Sequence, residues 1–182
     1  MSDGWTAPVD WDTGEEVTST KMNQQVYYNM RWLNEARPRC TMAGTVAVAN
    51  SSTFVVPTGT GGGGAWDTNP SPNTGGMFVS SSAMYLYAPT SGSYQFSLMV
   101  IFNTADAGKR GAVISSAAVT GTYSTYAIDV RATTGSTETT AMTITTPLIK
   151  FAAPAYVHFG IRQTSTVSMN CSVRFSGLWV TS

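Results

Sequence analysis

The chain has 182 residues, of which 42% are hydrophobic and only 11% are charged, with ten acidic and ten basic side chains. Average domains carry roughly a quarter charged residues, and here Thr and Ser replace much of the missing charge. Because the net charge is zero, no long-range field favours nucleic acid or an anionic membrane as a partner. So little charge gives a free monomer scant protection against association. We therefore expect other subunits to cover part of the surface; the alternative is a soluble surface rich in Ser and Thr.

Residues 1–18 contain turn-forming and acidic residues and no sustained periodicity. Trp5 and Trp11 are large apolar side chains in a segment too short to form its own core. Such anchors are typical of an extended arm that docks on another protein, although they could equally fold back onto their own domain. The segment lacks the basic and apolar regions of a secretory signal. No apolar run reaches the roughly 18 residues of a membrane span, and we expect no membrane association.

Residues 19–37 are predicted to form a helix that docks or trimerises. Thr18 or Ser19 can cap its first amides, and the stretch contains no Gly or Pro before Pro38. Apolar residues recur at intervals of four, four and three, which suits an oligomer seam or a helix packed on a sheet: Met22, Val26, Met30 and Leu33. A helix of this length is marginal alone and needs a partner.

Residues 41–182 read as strands separated by turns. The clearest strand is 93–103, in which Tyr94, Phe96 and Leu98 alternate with polar residues. The glycine-rich run 59–72 predicts a long loop. The remaining strands are predicted at 45–49, 53–56, 77–87, 110–118, 123–131, 139–149, 156–163 and 168–180. Strands at this spacing predict an all-β fold, an antiparallel jelly-roll sandwich.

Few residues of this region could carry catalysis. His158 is the only histidine, and its alternation with Val157 and Phe159 predicts a position on the outer face of a strand. Two cysteines, Cys40 and Cys171, are too few for a disulfide framework or a zinc site, so we expect free thiols. The carboxylates are scattered along the chain, which does not favour an acid/base pair or a calcium site: Asp67, Asp106, Asp129 and Glu138.

Other motifs are equally weak. The glycine run at 59–64 lacks the following Lys-Ser or Lys-Thr of a phosphate loop, and Lys109-Arg110 is too small a basic patch for nucleic acid. Trp66, Tyr123 and Tyr126 could stack on a sugar, although single aromatic residues more often serve packing. We therefore predict no catalytic residue, no metal and no cofactor, and a protein that is not an enzyme. A carbohydrate-cleaving enzyme would need a carboxylate pair in a cleft.

Three stretches resemble a known domain family. The motif Ala88-Pro89-Thr90-Ser91-Gly92-Ser93-Tyr94-Gln95-Phe96, with the closing Phe175-Ser176-Gly177-Leu178 and the earlier Trp66-Asp67-Thr68-Asn69, resembles the C1q/TNF-like trimeric jelly roll. The resemblance covers most of 41–182 and implies a homotrimer packed about a threefold axis through apolar and aromatic strand residues. Its signature positions here are Pro89, Gly92, Tyr94, Phe96, Phe175 and Gly177.

The N-terminal stretch 11–23, with Gly14-Glu15-Glu16-Val17-Thr18 and Met22-Asn23, followed by Asn29-Met30-Arg31-Trp32-Leu33, resembles the opening of bacteriophage minor tail and fibre proteins. Glu16 is an extra residue relative to their usual spacing. The resemblance implies a virion structural protein, assembled in the bacterial cytoplasm and exposed on the virion surface. It would attach by its N-terminus to other virion proteins of the tail or capsid, with a host-surface glycan or protein as candidate contact. The alternative is a capsid decoration (cement or head-spike) protein whose jelly-roll trimer stabilises the capsid.

Overall fold

The computed structural model describes residues 14, 16–31, 37–55, 73–78, 85–103, 107–133 and 139–181. The chain divides into two compact units, Met1–Arg37 and Pro38–Ser182. The predicted docking arm with Trp5 and Trp11, the predicted helix end with Leu33, and the glycine-rich run 59–72 lie outside the described residues.

One helix covers residues 19–31 of the first unit. It consists of an α-helical turn at Ser19–Met22, a π-helical stretch at Asn23–Tyr27 and a second α-helical turn at Tyr28–Arg31. Its start agrees with the predicted cap, because the Thr18 hydroxyl accepts a hydrogen bond from the Lys21 amide at 3.2 Å. The π-helical stretch departs from the uniform α-helix that the apolar spacing predicts. The Asn29 side-chain amide donates to the Gln25 carbonyl at 3.2 Å and so offers that carbonyl a donor from outside the backbone ladder.

Eleven strands lie in the described part of the second unit: β1 (Arg39–Val48), β2 (Ser51–Val55), β3 (Asn73–Thr74), β4 (Tyr85–Ala88), β5 (Gly92–Phe102), β6 (Gly108–Ser115), β7 (Thr125–Thr133), β8 (Thr140–Thr145), β9 (Ile149–Phe151), β10 (Ala155–Gln163) and β11 (Met169–Thr181).

The strands form two antiparallel sheets. The first, sheet A, has the order β3-β1-β11-β5-β8, with β9 also paired to β5. The second, sheet B, has the order β2-β10-β6-β7, with β4 also paired to β10. The first long strand pairs with the last, from Arg39 opposite Leu178 to Val48 opposite Met169. The predicted all-β jelly-roll sandwich is therefore confirmed.

The core lies between the sheets and is filled from alternate positions of each strand. Along β5, every second residue from Gly92 to Phe102 is buried, which confirms the predicted alternation. Aromatic rings dominate the centre. The ring centroid of Phe175 lies 6.1 Å from that of Phe96 and 5.2 Å from that of Phe159. Since burying one such ring contributes about 1.5–3 kcal/mol, the inward face of the strands is the main source of stability.

The predicted strand 139–149 is wrong, because the chain forms two strands there. β8 ends at Thr145 and β9 begins at Ile149. Pro147 has no amide to donate to a sheet. Thr146, just before it, makes the last contacts of the ladder: its amide donates to the Phe96 carbonyl at 2.9 Å, and its hydroxyl accepts from the Phe96 amide at 3.1 Å.

Two other boundaries differ from the sequence predictions. The predicted strand 77–87 is also wrong at its start, since Met77 is buried outside any strand and β4 begins at Tyr85. The first strand begins at Arg39, earlier than both the predicted domain start at 41 and the predicted strand at 45–49. The Pro38 carbonyl accepts a hydrogen bond from the Trp179 amide at 2.8 Å. This pairing holds the entering chain on β11, a long-range contact that local sequence does not encode.

Candidate functional site

The turn before β5, which belongs to the signature motif, is held by hydrogen bonds from the phenol hydroxyl of Tyr94. The hydroxyl of Tyr94, a buried residue, donates to the Thr90 carbonyl at 2.8 Å, accepts from the Thr90 amide at 3.3 Å, and lies 3.0 Å from the Thr90 hydroxyl. Pro89 lies half-buried between β4 and this turn. Gly92 has φ +144°, and a Cβ there would lie 2.7 Å from the Thr181 carbonyl oxygen. Only glycine suits that conformation and that space.

The other signature residues fill the core. A Cβ on Gly177 would lie 2.7 Å from both Met77 Cε and Phe96 Cε1. The absence of a side chain at Gly177 therefore allows Met77 and Phe96 to pack directly against the backbone of β11. Phe175 and Phe96 are fully buried. Apart from the half-buried Pro89, the predicted signature residues are thus buried in the sandwich, where they hold the fold and offer no surface for a ligand.

The outer face of sheet A is poor in charge. Its side chains alternate with the buried ones along β1, β5, β8 and β11. Among the described residues of this face, the charged ones are Arg39, Arg174 and, on β9 opposite Ser93, Lys150. Most of the others carry a hydroxyl: Thr41, Thr45, Ser93, Ser97, Thr143, Thr145, Ser172 and Ser176. The apolar ones are Ala43, Ala47, Met99, Ile101, Ala141 and Leu178.

Short side chains leave open depressions on this face, one of them of about 390 Å³ beside Met99. A depression of about 270 Å³ lies near its centre, with Gln95, Ser97, Thr145 and Leu178 in its lining. The Thr145 hydroxyl donates to the Ser97 hydroxyl at 3.3 Å, so the polar groups there are partly paired with each other. Small-molecule sites are usually concave and enclose most of their ligand. Open, shallow depressions with paired hydroxyls suit contact with another macromolecule better.

The helix of the first unit carries an exposed apolar stripe. Met22 is 43% exposed, Val26 40% and Met30 58%. These three are the described members of the predicted docking or trimerisation residues. Their contact with a partner remains a prediction.

The residues with catalytic potential lie in partly or fully buried surroundings. His158 is half-buried on the outer face of sheet B, as predicted, and burial lowers its pKa. Burial raises the pKa of the Cys40 and Cys171 thiols to about 12, and both are free cysteines. A thiol held neutral is a poor nucleophile, so neither cysteine is prepared for covalent chemistry.

Carboxylates form no cluster in the described part of the chain. Asp129 accepts from the Arg131 guanidinium at 2.8 Å, and the other three predicted positions (Asp67, Asp106, Glu138) lie outside the described residues. Where the structure is described, no group of three His, Cys, Asp or Glu side chains could hold a metal ion. Among the same residues, no helix is long and apolar enough to cross a membrane.

Two of the aromatic residues singled out for sugar stacking, Tyr123 and Tyr126, lie in the described part of the chain. Tyr126 packs with Phe151, 6.0 Å between centroids, and burial raises its pKa. Tyr123 is half-buried, and Trp66 lies outside the described residues. A different aromatic group was not predicted from the sequence: Tyr85, Tyr87 and Tyr156 accompany His158 on β4 and β10. The pattern that could have predicted it is the alternation of aromatic and aliphatic residues in Tyr85-Leu86-Tyr87 and Tyr156-Val157-His158, which places the aromatic rings on the outer face.

The chain is an antiparallel jelly-roll sandwich. Its fold is similar to the structure of Eiger TNF from S. frugiperda, with a TM-score of 0.51 and 10% identity over 81% of this chain and 94% of that one. The globular domain of zebrafish complement 1qA protein aligns with a TM-score of 0.44 and 12% identity over 76% of this chain and 96% of that one. No protein-family model and no curated protein matches the sequence.

Proposed function

We propose that this protein is a non-enzymatic structural subunit of a bacteriophage particle. It forms a homotrimer through the outer face of sheet A, attaches by its N-terminal unit, and displays the jelly roll as a minor tail or fibre appendage. The observation that supports the trimer most directly is the outer face of sheet A, which carries mainly short hydroxyl and apolar side chains and only three charges in its described part.

Such a face suits burial between subunits. The central parts of interfaces are depleted in charge, and a standard interface covers about 800 Å² per partner, which one face of a sheet can supply. Met99, Ile101 and Leu178 provide apolar contact area on three positions of this face. In a trimer closed about a threefold axis, each subunit buries its face against a neighbour. In an open arrangement one face would stay exposed at the end and recruit further subunits into a fibre. The fold and the face together support a closed trimer.

Charge placed on the centre of the face should separate the subunits. Ser97 lies between Thr145 of β8 and Ser176 of β11, so Ser97→Glu would bury three carboxylates near the axis without partners. We expect light scattering to show a trimer for the wild type and a monomer for Ser97→Glu at micromolar concentration. Thr120→Glu, which adds the same charge in the exposed turn after β6, should stay trimeric. A wild-type monomer would refute the trimer.

We assign attachment to the helix because its apolar stripe is exposed to solvent, with Met22, Val26 and Met30 each 40% exposed or more. A triple variant with Met22→Ser, Val26→Ser and Met30→Ser should leave the sandwich folded but lower incorporation into phage particles at least tenfold. Tyr27→Ser, at a 57% exposed neighbour, provides the matched control. Unchanged incorporation of the triple variant would contradict a docking role.

Imaging purified particles separates two positions on the virion. A few copies at the tail would support the proposed appendage. Many copies at the threefold positions of the capsid would instead identify a decoration protein. Absence of the protein from particles would refute the virion role altogether.

A further inference from the structure

We propose that the outer face of sheet B carries a binding site for a neutral sugar ring. The site is the aromatic patch, formed by Tyr85, Tyr87, Tyr156 and His158. In naming a ligand class it rests on the proposed function, because a particle-surface appendage that meets a host would present this site outward.

The patch is built from two cross-strand pairs. Tyr156 lies opposite Tyr87, and His158 lies opposite Tyr85, where β10 pairs with β4. The ring centroids are 5.2 Å apart in the first pair and 5.0 Å in the second, and the diagonal pair Tyr85–Tyr156 is 5.1 Å apart and T-shaped. Four rings therefore form one continuous array whose members fix each other's orientation.

These rings are not needed for the core. The intervening residues Leu86 and Val157 are fully buried and already cover the inward side. Tyr156 is 48% exposed, although tyrosine at an ordinary outward strand position could be replaced by a small polar residue without loss of packing. Farther along β10, Val119 lies over Gly160 and covers the sheet there. The aromatic patch lies beyond this cover, on a part of the face where Tyr156 stays exposed.

The phenol hydroxyls are available for a ligand. Among the described residues, none provides a hydrogen-bond partner for the hydroxyls of Tyr85, Tyr87 or Tyr156. Each can therefore donate and accept. Beside the rings lies a depression of about 310 Å³, lined by Gly76, Phe78, Tyr87 and Tyr156. Its size, at the lower end of small-ligand sites, suits a single ring rather than an extended chain.

The patch is uncharged, which points to a neutral ligand. The side chains that line it and the adjacent depression include no Lys, Arg, Asp or Glu, and burial lowers the pKa of His158. The outward cation on the same strand, Arg162, lies four residues beyond His158. Its guanidinium donates to the Ser52 carbonyl at 3.1 Å and lies 5.0 Å above the Phe54 ring. Among the described residues, an ionic ligand would find no counter-charge at the patch.

A sugar ring matches this chemistry. A pyranose alternates C–H groups, which pack on aromatic faces, with hydroxyls, which can bond free phenols. A protein partner would need an interface many times larger, whereas the patch is four rings and a small depression. Sheets A and B present their outer faces in opposite directions, so a trimer joined through sheet A would keep three sites open. Weak single-site binding would then add up on a surface with many glycans.

Saturation-transfer NMR with the full-length protein tests the site, using methyl glycosides of glucose, galactose, mannose and N-acetylglucosamine as probes. We expect at least one to bind with a dissociation constant on the order of millimolar, as for other small neutral ligands. Tyr156→Leu, which removes the ring, should abolish the signal. Tyr156→Phe, which keeps the ring, should weaken binding about fivefold, the effect of one hydrogen bond. Tyr27→Leu, at an exposed tyrosine of the first unit, should bind like the wild type.

No signal from any of the four sugars, or an equal signal from Tyr156→Leu, would overturn the site. Light scattering on the same samples separates this result from the trimer. If Tyr156→Leu dissociated the oligomer, the patch would be a subunit contact and the sugar site would be wrong. If a wild-type monomer bound sugar in a Tyr156-dependent manner, the sugar site would stand and the trimer would fall.

Discussion

Replacing Tyr94 with Phe removes one hydroxyl and leaves the ring volume unchanged. The hydroxyl makes one short hydrogen bond, donated to the Thr90 carbonyl at 2.8 Å, and two longer contacts to the amide and hydroxyl of the same residue. Burial raises the pKa of Tyr94, so the phenol stays a donor at neutral pH. A neutral hydrogen bond contributes about 0.5–1.5 kcal/mol. Thr90 is exposed, so water can replace some of the hydrogen bonds that Thr90 loses when the Tyr94 hydroxyl is removed.

We therefore expect Tyr94→Phe to lower the free energy of unfolding by about 1–2 kcal/mol. For a chain of this size that corresponds to a fall in Tm of roughly 3–6 °C. Thermal unfolding followed by circular dichroism would measure it, at one fixed protein concentration because oligomers melt in a concentration-dependent way. Tyr156→Phe removes a hydroxyl with no partner among the described residues and should change Tm by less than about 1 °C. Equal melting of the two variants would refute the role of the phenol in holding the turn.

Three further predictions concern the interior. Gln163→Leu should lower stability by about 2–4 kcal/mol in a urea titration, because the buried Gln163 side chain donates to two carbonyls, at 3.1 and 2.8 Å, and accepts from the Ser165 amide at 2.7 Å, and all three hydrogen bonds would be lost; a midpoint within error of the wild type would contradict this. Cys40 and Cys171 should resist a maleimide at pH 8 in the folded protein and react once it is unfolded. Because burial raises their pKa from 9.0 to about 12, the stability that the neutral thiols contribute is complete below pH 9 and is lost as the pH rises toward 12. Gly177→Ala should cost about 1–3 kcal/mol in the same titration through overpacking against Met77, and an unchanged midpoint would show that the neighbours move aside.

Local pattern was enough to predict much of the fold. Alternation gave β5 to within one residue, 93–103 against the observed Gly92–Phe102, because a half-buried strand places every second side chain in the core. The same rule placed His158 on an outer face. It failed at Pro147, where a missing amide divides a run of strand-forming residues into β8 and β9. It also failed at Arg39, whose strand depends on pairing with β11, more than a hundred residues away.

By itself, the sequence determined the class of fold and the poverty of charge, since both follow from composition and periodicity. The tertiary structure alone decided which residues share a surface. Strand pairing places Tyr85 beside His158 and Tyr87 beside Tyr156 across about seventy residues of chain, and no local rule specifies that register. It also gathers the hydroxyls of β1, β5, β8 and β11 onto one face of sheet A. The residues of each binding face come from strands that are distant in sequence and pair only in the folded protein. The candidate binding faces therefore could not be predicted from local sequence patterns.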